Sequence, residues 1–130
     1  MLALAQGAAA QEAATQEAGA ALSGEAARGA GLIRDSEKGN CTICHAIPGL
    51  GIPEDAQGNI GPPLAGVGAW RDRDWLIAFI TDPRPARPDT VMPAFGTTEG
   101  LIDVAPAYAG RPILTGDEIG AIASYLETLR

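Results

Sequence analysis

Cys41-Thr42-Ile43-Cys44-His45, preceded by Gly39-Asn40 and followed by Ala46-Ile47-Pro48-Gly49, decides how the rest of the chain reads. The C-x-x-C-H spacing is the attachment pattern for c-type haem. On one helical turn the two sulfurs reach the two vinyl groups along one edge of the porphyrin. The next residue then presents its imidazole to the iron. Thioether bonds hold the macrocycle permanently, so a small loop-rich domain need not retain it by burial alone. Three rival readings meet obstacles. A thioredoxin-like dithiol expects a strand before the motif and a sheet around it, and no strand pattern is visible here. A zinc site needs about four ligands, but the chain has no other Cys and no other His. A structural disulfide between such near neighbours is uncommon. The expectation is one haem c bound through Cys41 and Cys44, with His45 as an iron ligand.

Few residues are available for the other face of the iron. Lys38, the only lysine, sits just before the motif and is poorly placed to cross the ring. Met92 is the only methionine besides Met1 and lies in a Pro-rich stretch. A lone methionine is ordinarily core filler, but beside a haem with no other soft ligand it becomes the candidate for the second axial position. His/Met ligation gives a raised reduction potential suited to accepting electrons. With both positions filled, direct oxygen chemistry is disfavoured, and the site reads as one for electron transfer with no catalytic residue assigned. A haem sensor would require Met92 to be absent from the iron. Trp70, Trp75 and Phe79 are expected to face the haem, and Arg71 either pairs with a propionate or lies on the surface.

Composition agrees with a cofactor core without demanding one. The apolar fraction is 46%, but much of it is alanine, and there are only two each of Phe, Trp and Tyr. Side chains alone would therefore make a thin core. Seventeen glycines and ten prolines in 130 residues imply extensive loops. The net charge of -7 argues against nucleic acid as a partner. No run of apolar residues is long enough for a membrane span. The opening Met1-Leu2-Ala3-Leu4-Ala5-Gln6 looks like the end of a secretory signal with a small-x-small cleavage site, or else an ordinary Ala-rich tail.

Residues 1–22 hold too few large apolar side chains to repay their ordering entropy and read as a tail, leaving 23–130 as one domain. Ser23 is a candidate cap for a helix running to Lys38, stopped by Gly39-Asn40. Residues 46–71 are rich in glycine and proline and read as loop. Asp72 or Asp74 starts a short helix through Trp75, Leu76, Phe79 and Ile80 that ends before Pro83. Thr115-Gly116-Asp117-Glu118 has the form of a capping box, with Leu114 placed to staple onto Ile119. The helical recurrence of Ile119, Ile122, Ala123 and Leu126 follows. The fold class is all-α: three main helices with long loops wrapped around a covalent haem.

The order helix, C-x-x-C-H, Gly61-Pro62-Pro63-Leu64, Met92-Pro93, helix resembles the class I cytochrome c fold. In that fold the first and last helices cross closely, which suits Gly29 or Gly31 against the face around Tyr125. The resemblance also implies that the Pro62 carbonyl accepts the proximal imidazole N–H. Longer words are similar to the SoxX family: Gly58-Asn59-Ile60-Gly61-Pro62-Pro63-Leu64, Asp82-Pro83-Arg84, Pro88-Asp89-Thr90-Val91-Met92-Pro93, Val104-Ala105-Pro106-Ala107-Tyr108 and Arg111-Pro112-Ile113-Leu114-Thr115. Membership would imply a periplasmic mono-haem subunit paired with a larger haem subunit of SoxA type. There thiosulfate is joined oxidatively to a cysteine of a sulfur-carrier protein, a thiosulfotransferase-type reaction with its sulfur site on the partner. Electrons pass to the small subunit and on to a soluble cytochrome c acceptor. The alternative is a free periplasmic shuttle without a dedicated partner. The loop 97–114, with Leu101, Ile102, Pro106 and Tyr108, is either a partner surface or a flap over the haem edge.

Overall fold

Ser23 opens the first helix in the way its position predicts. In the computed structural model, which describes residues 22–130, the Ser23 hydroxyl accepts the Ala26 amide at 3.0 Å and caps α1 (Gly24–Arg34). The expected tail lies outside the described residues except for Leu22. Helix α1 stops short of Lys38. Asp35 leaves the helical region, and its carboxylate accepts the Glu37 amide at 2.9 Å. That local bond offers the backbone an alternative to another helical turn. The chain then folds back, with the Gly39 amide on the Leu32 carbonyl and the Asn40 amide on the Asp35 carbonyl. Asn40 takes the left-handed conformation at φ 48° and delivers the chain into Cys41.

Two short helices follow the long loop. A single turn, α2 (Val67–Trp70), has no side-chain cap. It is held from outside, by the Gly68 amide on the Leu129 carbonyl at 2.8 Å. This turn is absent from the sequence expectation because its support is tertiary. Helix α3 (Arg73–Thr81) starts at Asp72, whose carboxylate accepts the Trp75 amide at 2.8 Å, and ends just before Pro83. The last helix, α4 (Gly116–Glu127), has the full capping box. Thr115 Oγ1 accepts the Glu118 amide at 3.2 Å, and Glu118 Oε1 accepts the Thr115 amide at 3.0 Å. Among the described residues there is no strand, and no helix is long and apolar enough to cross a membrane.

Helices α1 and α4 cross in direct backbone contact, and Gly29 is the residue that allows it. A β-carbon there would stand 1.9 Å from the Ala121 carbonyl oxygen. Gly31, the other candidate, has open space around it, and the point of contact is Ala121, one turn before Tyr125 on the same face of α4. Ala26, Ala30 and Ile33 from α1 pack with Ile119, Ile122, Ala123, Tyr125 and Leu126 from α4 and with Leu76 and Ile80 from α3. Leu114 and Ile119, the expected staple pair, are both buried in this core. A second tie runs from Lys38 to Glu118, 3.1 Å apart, joining the segment before the Cys–His motif to the start of α4.

Candidate cofactor site

Cys41–Ile43 form one turn of 3-10 helix. The His45 amide reaches the Cys41 carbonyl at 2.9 Å, so the five-residue motif is wound into the helical turn that the chemistry of attachment asks for. No disulfide joins Cys41 and Cys44. Burial, with a smaller contribution from Cys44, pushes the Cys41 thiol up to about 12, against a backbone hydrogen bond that works the other way.

The loop after the motif returns along it as a second limb. The Gly58 amide bonds the Thr42 carbonyl at 2.8 Å, the Gly61 amide the Cys44 carbonyl at 2.8 Å, and the Leu64 amide the Ala46 carbonyl at 2.9 Å. Gly61 lies against the imidazole itself: a β-carbon there would stand 2.3 Å from His45 Cε1 and 2.6 Å from Nδ1. Only a residue without a side chain lets the backbone pass so close. The next carbonyl, that of Pro62, is 2.7 Å from His45 Nδ1. A carbonyl oxygen can only accept, so the proton of the neutral ring sits on Nδ1 and the Nε2 lone pair is left available to a metal.

His45 and Cys41 line one apolar cleft together with Met92, Ile47, Leu64, Ile80, Phe95, Leu114, Ile122 and Leu126. Ile47, Leu114 and Ile122 are almost wholly buried, so three separate segments contribute firm walls. Met92 is half-buried, and its amide donates to Thr90 Oγ1 at 3.0 Å in the turn that presents it. Thus the structure brings Cys41, His45 and Met92 to one cleft and Pro62 onto the imidazole. Cys44 is half-buried beside the cleft rather than among its lining residues.

The aromatic expectations need correction. Trp70 is 81% exposed, and neither Trp75 nor Phe79 lines the cleft. Trp75 and Phe79 stack on each other at 4.8 Å, and the Arg71 guanidinium caps Trp75 at 4.1 Å. Together they form a ridge along α3. The cleft takes its aromatic wall from Phe95, which sequence reasoning missed. Its position two and three residues after Pro93 and Met92 was the available signal. The loop 97–114 is pinned near both ends, by Arg84 Nη2 on the Glu99 carbonyl at 2.7 Å and by the Tyr108 hydroxyl on the Glu37 carbonyl at 3.1 Å. Between these pins Ile102 and Val104 are exposed.

The residues present fit a haem by their chemistry: two thiols on one turn, an imidazole with its metal-binding nitrogen free, a thioether, and apolar walls for a flat ring. Comparison with known proteins agrees. Residues 26–130 match the family model described as Cytochrome c. The chain is also similar to one in the crystal structure of SoxXA from P. pantotrophus, at 28% identity and a TM-score of 0.67. That likeness covers 78% of this chain and 79% of that chain. None of the curated proteins matches it.

Proposed function

The chain belongs to the cytochrome c family, and from that premise we propose that it is the mono-haem, electron-accepting subunit of a sulfur-oxidising complex outside the cytoplasmic membrane. Covalent haem c is the family's cofactor. In our reading one such haem would be held through Cys41 and Cys44, with His45 and Met92 as the residues that would bind its iron and the Pro62 carbonyl on the imidazole. The similarity to a SoxXA chain supports the SoxX resemblance of the sequence and a haem partner of SoxA type.

When bound, the haem supplies a one-electron iron couple. The chain's own residues set the conditions. The Pro62 carbonyl fixes the ring orientation and tautomer of His45 and raises its basicity. Ile47, Ile80, Leu114, Ile122 and Leu126 keep water from the cleft, which favours the less charged, reduced state. Met92 would supply a soft thioether ligand that pulls in the same direction.

One observation carries the division of labour. The only two thiols and the only imidazole of the chain all belong to the attachment motif. None is left to handle sulfur, so bond formation belongs to a partner. Joining thiosulfate to a carrier thiol makes an S–S bond and releases one proton and two electrons, which this chain takes up one at a time. Ile102 and Val104 on the pinned loop 97–114 are exposed apolar residues suited to a partner surface. Thioether attachment outside the cytoplasmic membrane supports a periplasmic location, and a soluble cytochrome c is the natural acceptor.

The test follows haem reduction after thiosulfate is added to the oxidised chain, with and without the haem partner and the carrier protein. Reduction is expected only when both are present, with two chains reduced per conjugate formed. A haem that stays oxidised in the complete mixture would contradict the sulfur reading and leave a free shuttle as the better account.

A further inference from the structure

One side chain closes the loop that follows His45. Gln57 Oε1 accepts the Ile47 amide at 2.7 Å, while its Nε2 donates to the Ile47 carbonyl at 3.1 Å and the Ile52 carbonyl at 3.0 Å. A primary amide has two N–H donors, and both are used on backbone carbonyls. The opposite orientation of the amide would set N–H against the Ile47 N–H, so the network itself decides which way it points. Gln57 thus pairs with Ile47 as a neighbouring strand would, though no strand is there.

The place of this clamp matters more than its strength. Ile47 is fully buried, lines the cleft, and lies two residues after His45. The residue after Gln57 begins the returning limb, with the Gly58 amide on the Thr42 carbonyl. That limb then lays Gly61 on the imidazole and the Pro62 carbonyl on Nδ1. Gln57 therefore sits where the outgoing limb is tied off and the returning limb is aimed. The intervening residues 48–56 hold one 3-10 turn, Glu54–Ala56, and are tied outward by Arg34 on the Leu50 carbonyl and Tyr125 on the Pro48 carbonyl, but none of these bonds reaches Ile47.

We infer that Gln57 is a positioning residue for the iron-binding imidazole, setting the His45–Pro62 hydrogen bond and through it the reduction potential. The inference rests on the haem reading proposed above. A firm Nδ1–H···O bond makes the imidazole a stronger donor and favours ferric iron. Loosening it raises the potential. Gln57→Ala removes all three bonds. Gln57→Glu keeps the size and the accepting oxygen but turns an acceptor toward two carbonyls, so it acts in the same direction.

The experiment measures the reduction potential of the haem-loaded full chain for wild type, Gln57→Ala, Gln57→Glu and Tyr125→Phe. It also follows the exchange of the His45 Nδ1 proton with solvent in the reduced protein by NMR. Tyr125→Phe is the structural control: its buried hydroxyl donates to the Pro48 carbonyl at 2.7 Å on the same limb but leaves the Gln57 clamp intact. Both Gln57 variants are expected to shift the iron equilibrium toward the reduced state by up to about tenfold, or about 59 mV for a one-electron couple. Their Nδ1 proton should exchange faster. Tyr125→Phe should lose stability with an unmoved potential. Unchanged potential and exchange in Gln57→Ala, with covalent haem intact, would overturn the inference and leave the haem reading standing. Shifts that merely track lost stability in all three variants would also overturn it. A wild-type chain carrying no covalent haem would overturn the haem reading first and the inference with it.

Discussion

Substituting alanine for Gly29 places a methyl group where the backbone of α4 already runs. The new carbon would stand 1.9 Å from the Ala121 carbonyl oxygen, 2.5 Å from its carbon and 2.9 Å from the Ile122 nitrogen, whereas ordinary contact begins at 3.4 Å. All three obstacles are main-chain atoms, so no side chain can swing aside. The helices must part by roughly 1.5 Å in a core packed to near-crystalline density. Overpacking usually costs about 1–3 kcal/mol. Here the upper end applies, because separation also loosens Ala26, Ala30 and Ile33 from Ile122 and Tyr125. A loss of about 3 kcal/mol corresponds to a fall in Tm of at least about 12 °C for a domain of this size. Gly31→Ala, two residues along the same helix with open space around it, should instead gain up to ~1 kcal/mol from helix propensity. Urea unfolding of the haem-loaded chain, followed by far-UV circular dichroism, measures both. A Gly29→Ala variant within 1 kcal/mol of wild type, or a Gly31→Ala variant that loses as much, would refute the crossing described here.

Met92→Ala should lower the reduction potential and make the reduced haem bind carbon monoxide; an unchanged visible spectrum would remove Met92 from the iron. Phe95→Ala should destabilise by about 3–5 kcal/mol as a cavity mutation in the cleft wall, while Trp70→Ala should stay within about 0.5 kcal/mol, both read by urea titration. Glu118 is held below its ordinary value of 4.5, first by its bond from the Thr115 backbone and then by Lys38. The stability it contributes is therefore complete above about pH 4.5 and is lost as pH falls through the lowered value. Glu118→Gln should flatten that acid limb in a series of unfolding curves, and an unaltered limb would place the acid sensitivity elsewhere.

Signals that act between near neighbours are legible in this sequence, and those that act through tertiary contacts are not. Ser23, Asp72 and the Thr115–Glu118 box each act through neighbours three residues away, so the helix starts were legible. The end of α1 was not, because Asp35 matches a helical pattern until its side chain takes the Glu37 amide. The turn α2 depends on Leu129, at the far end of the chain. In the site, Cys41, Cys44, His45 and Met92 were identifiable by residue type and scarcity. Pro62 came only through family resemblance, and its 2.7 Å approach to His45 is a matter of loop folding. Trp70 sits exposed at the end of a one-turn helix, a placement set by the tertiary tie to Leu129 that its residue type does not reveal. Phe95 is marked only by its place just after Met92-Pro93, and Gln57 bonds backbone groups five and ten residues back in an irregular loop, where no periodic pattern points to it.

The central claim is that both cysteines, the one histidine and Met92 are engaged by one haem, leaving an electron carrier with a closed iron. The visible spectrum of the reduced full-length protein, recorded before and after carbon monoxide, tests it most directly. The account predicts one covalent haem per chain, a low-spin spectrum, and no change on adding the gas. A spectrum that shifts to a carbon monoxide adduct in the wild-type chain would contradict it, because an open iron position belongs to a sensor or a ligand-binding protein.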